Sequence, residues 1–169
     1  ASVQKAIETE KIDAIIFEDY NKGLLTPTVI GGIIALAKEH KIPTTVDPKK
    51  DNFLAFKGVT LFKPNLKELK EGVGIDCSFQ KRDLFDQAVA SLEKNLGNEI
   101  TFVTLSEHGV YIKDQQRNYH TPAHVRNIAD VSGAGDTVIS VATLCLTTEL
   151  SIESIAELSN LAGGLVCEK

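Results

Sequence analysis

The sequence predicts an α/β fold built on a mostly parallel sheet with helices on both faces. Short apolar runs of strand length alternate along the chain with longer segments of helix length. The strand runs, such as ITFVTL at 100–105, are continuously apolar and do not alternate with polar residues. Continuous apolar strands are buried on both sides, so a helical layer is expected on each face of the sheet.

The first half of the chain carries three predicted strands and three predicted helices. The strands are the apolar run at 13–18 and the short stretches at 43–47 and 59–63. Pro27 suits the first turn of a helix and places one at 27–40. A second helix starts over 65–71. A third is predicted from a cap at Ser78 through Asn95, because its apolar residues form one stripe.

The second half continues the alternation of strands and helices. A buried strand is predicted at 100–105, and a hairpin is predicted around Gln115-Gln116. The hairpin strands are placed at 109–113 and 117–121, and two further helices at 134–148 and 151–167. Ser151 is placed to cap the last of these helices.

Composition sets broad limits on function. The 169 residues are 43% hydrophobic and 24% charged, which is ordinary for one compact domain. A net charge of −5 argues against nucleic acid as a partner, and no apolar run is long enough to span a membrane. With no signal peptide at the start, a soluble cytoplasmic protein is expected. The three separated cysteines fit reduced thiols, with Cys145 and Cys167 expected in the core.

Polar side chains follow the predicted strands at the point where each strand ends. These segments are EDYNKG at 18–23, DPKK at 47–50, KPN at 63–65 and SEHG at 106–109. Ligands of parallel α/β sheets bind beyond the carboxyl ends of the strands. The sequence therefore predicts a ligand site formed by these four segments.

The segment DVSGAGDT at 130–137 opens an apolar helix with two glycines and a carboxylate. Backbone N–H groups at a helix start bind anions, and Asp136 beside them could take the proton of a hydroxyl that attacks phosphorus. The segment lacks the ending of a P-loop and the third glycine of a dinucleotide fingerprint. The alternative is that Asp136 only offsets the helix dipole.

Four segments in order resemble the ribokinase-like (pfkB) carbohydrate kinases: KPNLKEL at 63–69, TLSEHGV at 104–110, DVSGAGDT at 130–137 and SNLAGGLV at 159–166. The resemblance implies a ribokinase-like three-layer sandwich and an ATP-dependent sugar kinase. Residues 1–169 would be the C-terminal portion of a single carbohydrate-kinase domain, without the family's N-terminal part and lid. Relatives often dimerise through that lid, so a homodimer is one assembly that the resemblance implies.

The segments TLSEHG, DVSGAGDTVI, DYNKG and DPKK are most similar to the D-glycero-β-D-manno-heptose 7-phosphate kinases of this family. That similarity implies transfer of the γ-phosphate of ATP to the C1 hydroxyl of this sugar phosphate. The product would be the 1,7-bisphosphate used for ADP-heptose and the lipopolysaccharide core. Most sugar contacts of the family lie outside these residues, so this stretch alone is expected to turn over poorly. The alternatives are another sugar kinase of the family, such as a ribokinase or fructokinase, and a non-catalytic nucleotide-binding module.

The resemblance also implies roles for individual residues. Asp136 would be the catalytic base. The anion hole would be formed by its N–H group and those of Gly133, Ala134 and Gly135. Asn65 and Glu68 would organise Mg²⁺ and the ATP phosphates, with Glu68 nearest the metal, although the pair also fits a helix capping box. The nucleotide would contact Thr104, Ser106, Gly109 and Asn160. The family more often has Gly where this chain has Ser106.

Charged residues near these segments are further candidates. Lys22 and Lys49 would bind the sugar phosphate and the ATP phosphates, because cations ease the repulsion between two polyanions. Either could instead be a solvated loop lysine. Asp130 and Ser132 match positions that hold a monovalent cation in some relatives, and Asp130 could alternatively order the loop by accepting its N–H groups.

Overall fold

The structure, a computed structural model, describes residues 2–123 and 132–168. Within these ranges a six-stranded sheet has its strands side by side in chain order. They are β1 (Ile15–Glu18), β2 (Thr44–Asp47), β3 (Leu61–Phe62), β4 (Ile100–Thr104), β5 (Val110–Lys113) and β6 (Asn118–Thr121). The first four strands run parallel, and β5 and β6 add an antiparallel hairpin. The predicted mostly parallel sheet is confirmed.

Helices cover both faces of the sheet, as the continuous apolar strands predict. They are α1 (Ser2–Thr9), α2 (Pro27–Glu39), α3 (Leu66–Val73), α4 (Arg82–Leu96), α5 (Ala134–Thr147) and α6 (Ile152–Val166). Phe62 and Val103 belong to the core beneath α2, α3 and α4. Their strand neighbours Leu61 and Phe102 belong to the core beneath α5 and α6. Successive strand residues point to opposite faces, so the two cores give a three-layer sandwich.

Local sequence explains where three of the six described helices begin. Thr26 caps α2 with its side-chain oxygen, and Pro27 fills the first turn. Asn65 and Glu68 form a complete capping box at the start of α3. Ser151 caps α6 as expected. In the described residues, no helix is both long and apolar enough to cross a bilayer.

The predicted start of α4 at Ser78 is wrong. The helix begins at Arg82, and the Ser78 hydroxyl instead accepts the N–H of Lys81 in a preceding turn. The ring of Phe79 packs edge-on against that of Phe85, with ring centroids 5.3 Å apart. This packing holds the segment as a turn against the core, because tertiary contacts outweigh local helix preference.

Candidate active site

The first turn of α5 presents a row of backbone N–H groups. Gly133 precedes the helix at a φ of 77°, a left-handed conformation that costs glycine little. The N–H of Thr137 donates to the carbonyl oxygen of Gly133 at 2.9 Å. The first N–H groups of an α-helix, here those from Ala134 to Asp136, are not used by hydrogen bonds within the helix itself. A helix start of this kind can bind an anion.

A buried ion pair lies directly beside this turn. A Cβ atom on Gly135 would be 3.4 Å from Oδ2 of Asp47 and 3.7 Å from Nζ of Lys63. Asp47 ends β2 and Lys63 follows β3, so the neighbouring strands bring the two side chains together at 3.1 Å. The Lys63 side chain is only 3% exposed. Burial makes each member of the pair dependent on the other.

The carboxylate of Asp136, the predicted base, receives a hydrogen bond from the loop after β1. The Tyr20 hydroxyl donates to Oδ2 of Asp136 at 2.8 Å. This hydrogen bond is the main cause of the raised pKa of Tyr20, with smaller contributions from burial and from the Glu18 and Asp47 carboxylates. Tyr20 therefore keeps its proton well into the alkaline range.

Lys49 and Glu68 join the start of α3 to the same edge of the sheet. Nζ of Lys49 lies 3.1 Å from Oε1 of Glu68, and the N–H of Asn65 donates to Oε2 at 2.9 Å. Burial lowers the pKa of Lys49, but the carboxylates of Asp47, Glu68 and Asp136 outweigh it and leave the pKa above its ordinary value. Lys49 therefore faces the acidic groups of the whole cluster.

Glu68 is the carboxylate of this cluster that the sequence places nearest to Mg²⁺. Both carboxylate oxygens of Glu68 already accept a hydrogen bond. Across residues 2–123 and 132–168, His, Cys, Asp and Glu form no group of three that could hold a metal. Mg²⁺ commonly keeps several waters and takes further ligands from substrate phosphates. The described side chains therefore offer no direct cage for the ion, and Glu68 would contact a magnesium ion here only through water.

A cleft of about 440 Å³ opens beside the anion-binding turn. The four predicted nucleotide contacts all line it: Thr104, Ser106, Gly109 and Asn160. Ala134 and Gly135 line it as well, so the cleft runs up to the turn that carries Asp136. Its volume is within the range of small-molecule sites. Cys167, expected in the core, is partly exposed and also lines the cleft.

Backbone conformation shapes the walls of this cleft. Ser106 has a φ of 53° and Gly109 a φ of 82°. A Cβ atom on Gly109 would lie 2.1 Å from the carbonyl oxygen of Thr121, so only glycine fits between the turn and β6. Asn160 is anchored by its Nδ2, which donates to the carbonyl oxygen of Pro122 at 2.8 Å.

Some of the predicted site residues are not seen to contact the cluster or the cleft described above. Lys22 is exposed on the loop after β1 and forms no ion pair with any other described residue. Asp130, half of the expected monovalent-cation site, lies outside the described residues, and Ser132 lies inside them.

The sequence analysis assigned no role to Tyr20, Asp47 or Lys63. All three lie at or just after the end of a strand, and that position was the available signal. Their partners could not be identified from it, because the Asp47–Lys63 contact depends on how β2 and β3 pair and the Tyr20–Asp136 contact depends on how α5 packs against the sheet.

Comparison with known proteins decides the family. The model of the pfkB family carbohydrate kinase matches residues 10–169. The chain belongs to this family. Proteins named bifunctional protein HldE are 38% identical over 100% of the chain in Caulobacter vibrioides and 38% identical over 93% of it in Koribacter versatilis. These matches span 35% and 32% of the relatives, so the chain covers about a third of their length.

Solved structures confirm the ribokinase-like fold of this pfkB chain. Phosphofructokinase-2 from Escherichia coli in complex with potassium superposes with a TM-score of 0.86 at 19% identity, over 98% of this chain and 54% of that one. Arabidopsis thaliana ribokinase complexed with ribose and ATP gives a TM-score of 0.80 at 17% identity, over 99% and 53%. The pfkB chain thus spans about half of these structures.

Proposed function

We propose that this chain carries the phosphoryl-transfer and nucleotide sites of an ATP-dependent sugar kinase. The main observation behind the proposal is that the cleft runs up to the helical turn that bears the carboxylate of Asp136. Ala134 and Gly135 line the cleft, and Asp136 follows in the same helical turn. A base next to an anion-binding turn suits phosphoryl transfer, because the attacking oxygen and the phosphorus must meet there.

The acceptor we propose is D-glycero-β-D-manno-heptose 7-phosphate, phosphorylated on its C1 hydroxyl. Support comes from the similarity of the segments DYNKG, DPKK and TLSEHG to those of the heptose 7-phosphate kinases. Further support comes from the similarity along the whole chain to proteins named HldE. The product would be the 1,7-bisphosphate on the route to ADP-heptose and the lipopolysaccharide core. A cytoplasmic enzyme that acts as a homodimer fits this route.

In the proposed reaction, Asp136 takes the proton of the C1 hydroxyl. The hydroxyl oxygen forms a bond to the γ-phosphorus, the bond from that phosphorus to the β–γ bridging oxygen breaks, and ADP leaves with the electron pair. The N–H groups from Gly133 to Asp136 stabilise the negative charge that develops on the phosphoryl oxygens.

Two lysines and the capped start of α3 would complete the binding of the phosphate groups. Lys49 would bind the ATP phosphates, and Lys22 the phosphate of the sugar. Asn65 and Glu68 would hold Mg²⁺ through water, and the ion when bound would neutralise phosphate charge. Ser132 and Asp130 would hold a monovalent cation, in line with the potassium complex of phosphofructokinase-2.

The test is release of ADP by the kinase in its full natural length. Heptose 7-phosphate, ribose and fructose 6-phosphate are offered separately, with wild type and Asp136→Asn in parallel. We expect turnover on the heptose phosphate and a loss of about 10²- to 10⁴-fold in kcat for the variant, the usual contribution of a general base. Asp83→Asn is the matched control, because Asp83 also lies in the first turn of a helix, α4, outside this site.

The outcomes separate the hypotheses. Equal loss of stability in Asp136→Asn and Asp83→Asn, with turnover kept in both, would mean that Asp136 only offsets the helix dipole. Turnover on another sugar alone would keep the mechanism and discard the heptose substrate. ATP binding without turnover on any sugar would indicate a nucleotide-binding module.

A further inference from the structure

The side chain of Tyr20 reaches from the loop after β1 to the first turn of α5. Its hydroxyl donates to Oδ2 of Asp136 at 2.8 Å, across 116 positions of sequence. A carboxylate on a helix can rotate about its side-chain bonds, and a base must hold one orientation to meet the hydroxyl it deprotonates. A donor on one carboxylate oxygen restricts that rotation and leaves the other oxygen for the proton.

The backbone on both sides of Tyr20 is anchored, although its own side chain is 55% exposed. The carboxylate of Asp19 is buried and accepts the N–H of Asn21 at 2.8 Å and the side-chain amide of Asn52 at 3.1 Å. The same amide donates to the carbonyl oxygen of Leu25 at 2.8 Å. The loop is therefore clamped at its start and end, and Tyr20 lies between the two attachment points.

We propose that Tyr20 is the positioning residue of the catalytic base, its hydroxyl holding Asp136 in the orientation that accepts the proton of the sugar. The inference rests on the proposed function of Asp136 and goes beyond it by assigning a second residue to the step. The Tyr20 hydroxyl remains a donor throughout, and the proton of the sugar passes to the other carboxylate oxygen, Oδ1.

The same pair of groups occurs once more, away from the cleft. The Tyr119 hydroxyl on β6 donates to Oε1 of Glu157 on α6 at 2.7 Å. This bond has the same chemistry and a similar length, and neither residue lines the cleft. Tyr119→Phe is therefore a matched control for Tyr20→Phe, since both remove one phenol oxygen from a tyrosine–carboxylate bond.

The first experiment measures steady-state kinetics of the full-length kinase with both variants. For Tyr20→Phe we expect kcat to fall about tenfold with the KM for ATP within twofold of wild type, because a misplaced base slows transfer without weakening the nucleotide site. Tyr119→Phe should match wild type. Equal kcat values for Tyr20→Phe and wild type would overturn the inference.

A second measurement detects a role that mere structural support would not produce. Fluorinated tyrosine at position 20 keeps the ring and hydroxyl but loses its proton at lower pH. The phenolate cannot donate to Asp136, and it faces the carboxylates of Asp136, Glu18 and Asp47. We expect the alkaline fall in kcat to move to lower pH, and an unmoved profile would count against the inference.

The same experiments distinguish this inference from the function on which it rests. If Asp136→Asn loses turnover and Tyr20→Phe does not, the proposed function stands and the positioning role is wrong. If Asp136→Asn keeps full turnover, Asp136 is not the base and the role of Tyr20 is wrong with it. If wild type phosphorylates no sugar, the proposed kinase function is wrong as well.

Discussion

The two ends of the candidate site, where phosphates and nucleoside are proposed to bind, are formed by different kinds of residue. At the phosphate end, ionisable side chains from β1, β2, β3 and α3 pair with one another around the first turn of α5. At the nucleotide end, the cleft is bounded mainly by small residues and backbone, with Ser106 and Gly109 at positive φ. Ligand binding is therefore expected to depend on charge at the phosphate end and on shape at the nucleotide end.

The difference follows from what each end would hold. Triphosphate and sugar phosphate carry charge that must be balanced within a few ångströms, so carboxylates and lysines there need partners. A nucleoside is largely uncharged and is held by close surfaces with few polar contacts. The two ends should therefore fail in different ways when they are mutated.

The largest expected effect on stability is at the buried pair of the phosphate end. Lys63→Met leaves the carboxylate of Asp47 buried without its cation, which should lower the free energy of unfolding by about 3–5 kcal/mol. Urea denaturation measures this change. Lys11→Met is the control, because Lys11 pairs with Asp13 at 3.3 Å but is 88% exposed, and such pairs contribute little. Equal stability of the two variants would contradict the expectation that the phosphate end depends on its buried ion pair.

The nucleotide end should be most sensitive to an added methyl group. Gly109→Ala combines a φ of 82° with a Cβ atom 2.1 Å from a backbone oxygen, and should cost about 2–4 kcal/mol of stability and weaken ATP binding. Gly58→Ala is the matched control, since its φ is 76° but nothing lies within 4 Å of the added carbon. Calorimetric ATP titration of both variants would show weaker binding for Gly109→Ala alone.

The smallest expected effect is a gain in stability at Ser106. Its φ of 53° is strained for a residue with a side chain, so Ser106→Gly should raise stability by roughly 0.5–1 kcal/mol after the entropy cost of glycine. The KM for ATP should stay constant, because the family more often has Gly here and the backbone is expected to face the nucleotide. Lys41→Gly, at a φ of 57° outside the cleft, should gain similarly in a thermal melt. A raised KM for Ser106→Gly would instead assign a contact to the hydroxyl.

Much of the fold could be predicted because its signals are local. The predicted strand stretches contain every described strand, although β3 is only Leu61–Phe62, and capping residues such as Asn65 and Ser151 mark helix starts. Ser78 failed as a cap because the neighbouring Phe79 packs on the rings of Phe85 in α4 and Tyr111 in β5, the second of which is far away in sequence. Long-range packing is the part that a local pattern does not contain.

The candidate site also has a part that local sequence predicts and a part that depends on long-range packing. Asp136 and the cleft residues belong to motifs that are recognisable in a single stretch of sequence. The Asp47–Lys63 pair and the Tyr20–Asp136 bond join segments 16 and 116 positions apart, and nothing in the sequence near Tyr20, Asp47 or Lys63 names its partner. The first contact depends on the pairing of β2 with β3, and the second depends on the packing of α5 against the sheet.

The order of the strands has a consequence for how the protein is made. The four parallel strands lie side by side in the order of their synthesis, so the loops bearing Tyr20, Lys49 and Ser106 are all made before α5. Helix α5 then returns across the sheet to pack against β1 and β2. A ribosome-bound chain that ends before residue 132 contains Tyr20, Lys49 and Ser106 but no Asp136. The proposed base is therefore the last of these parts to be synthesised.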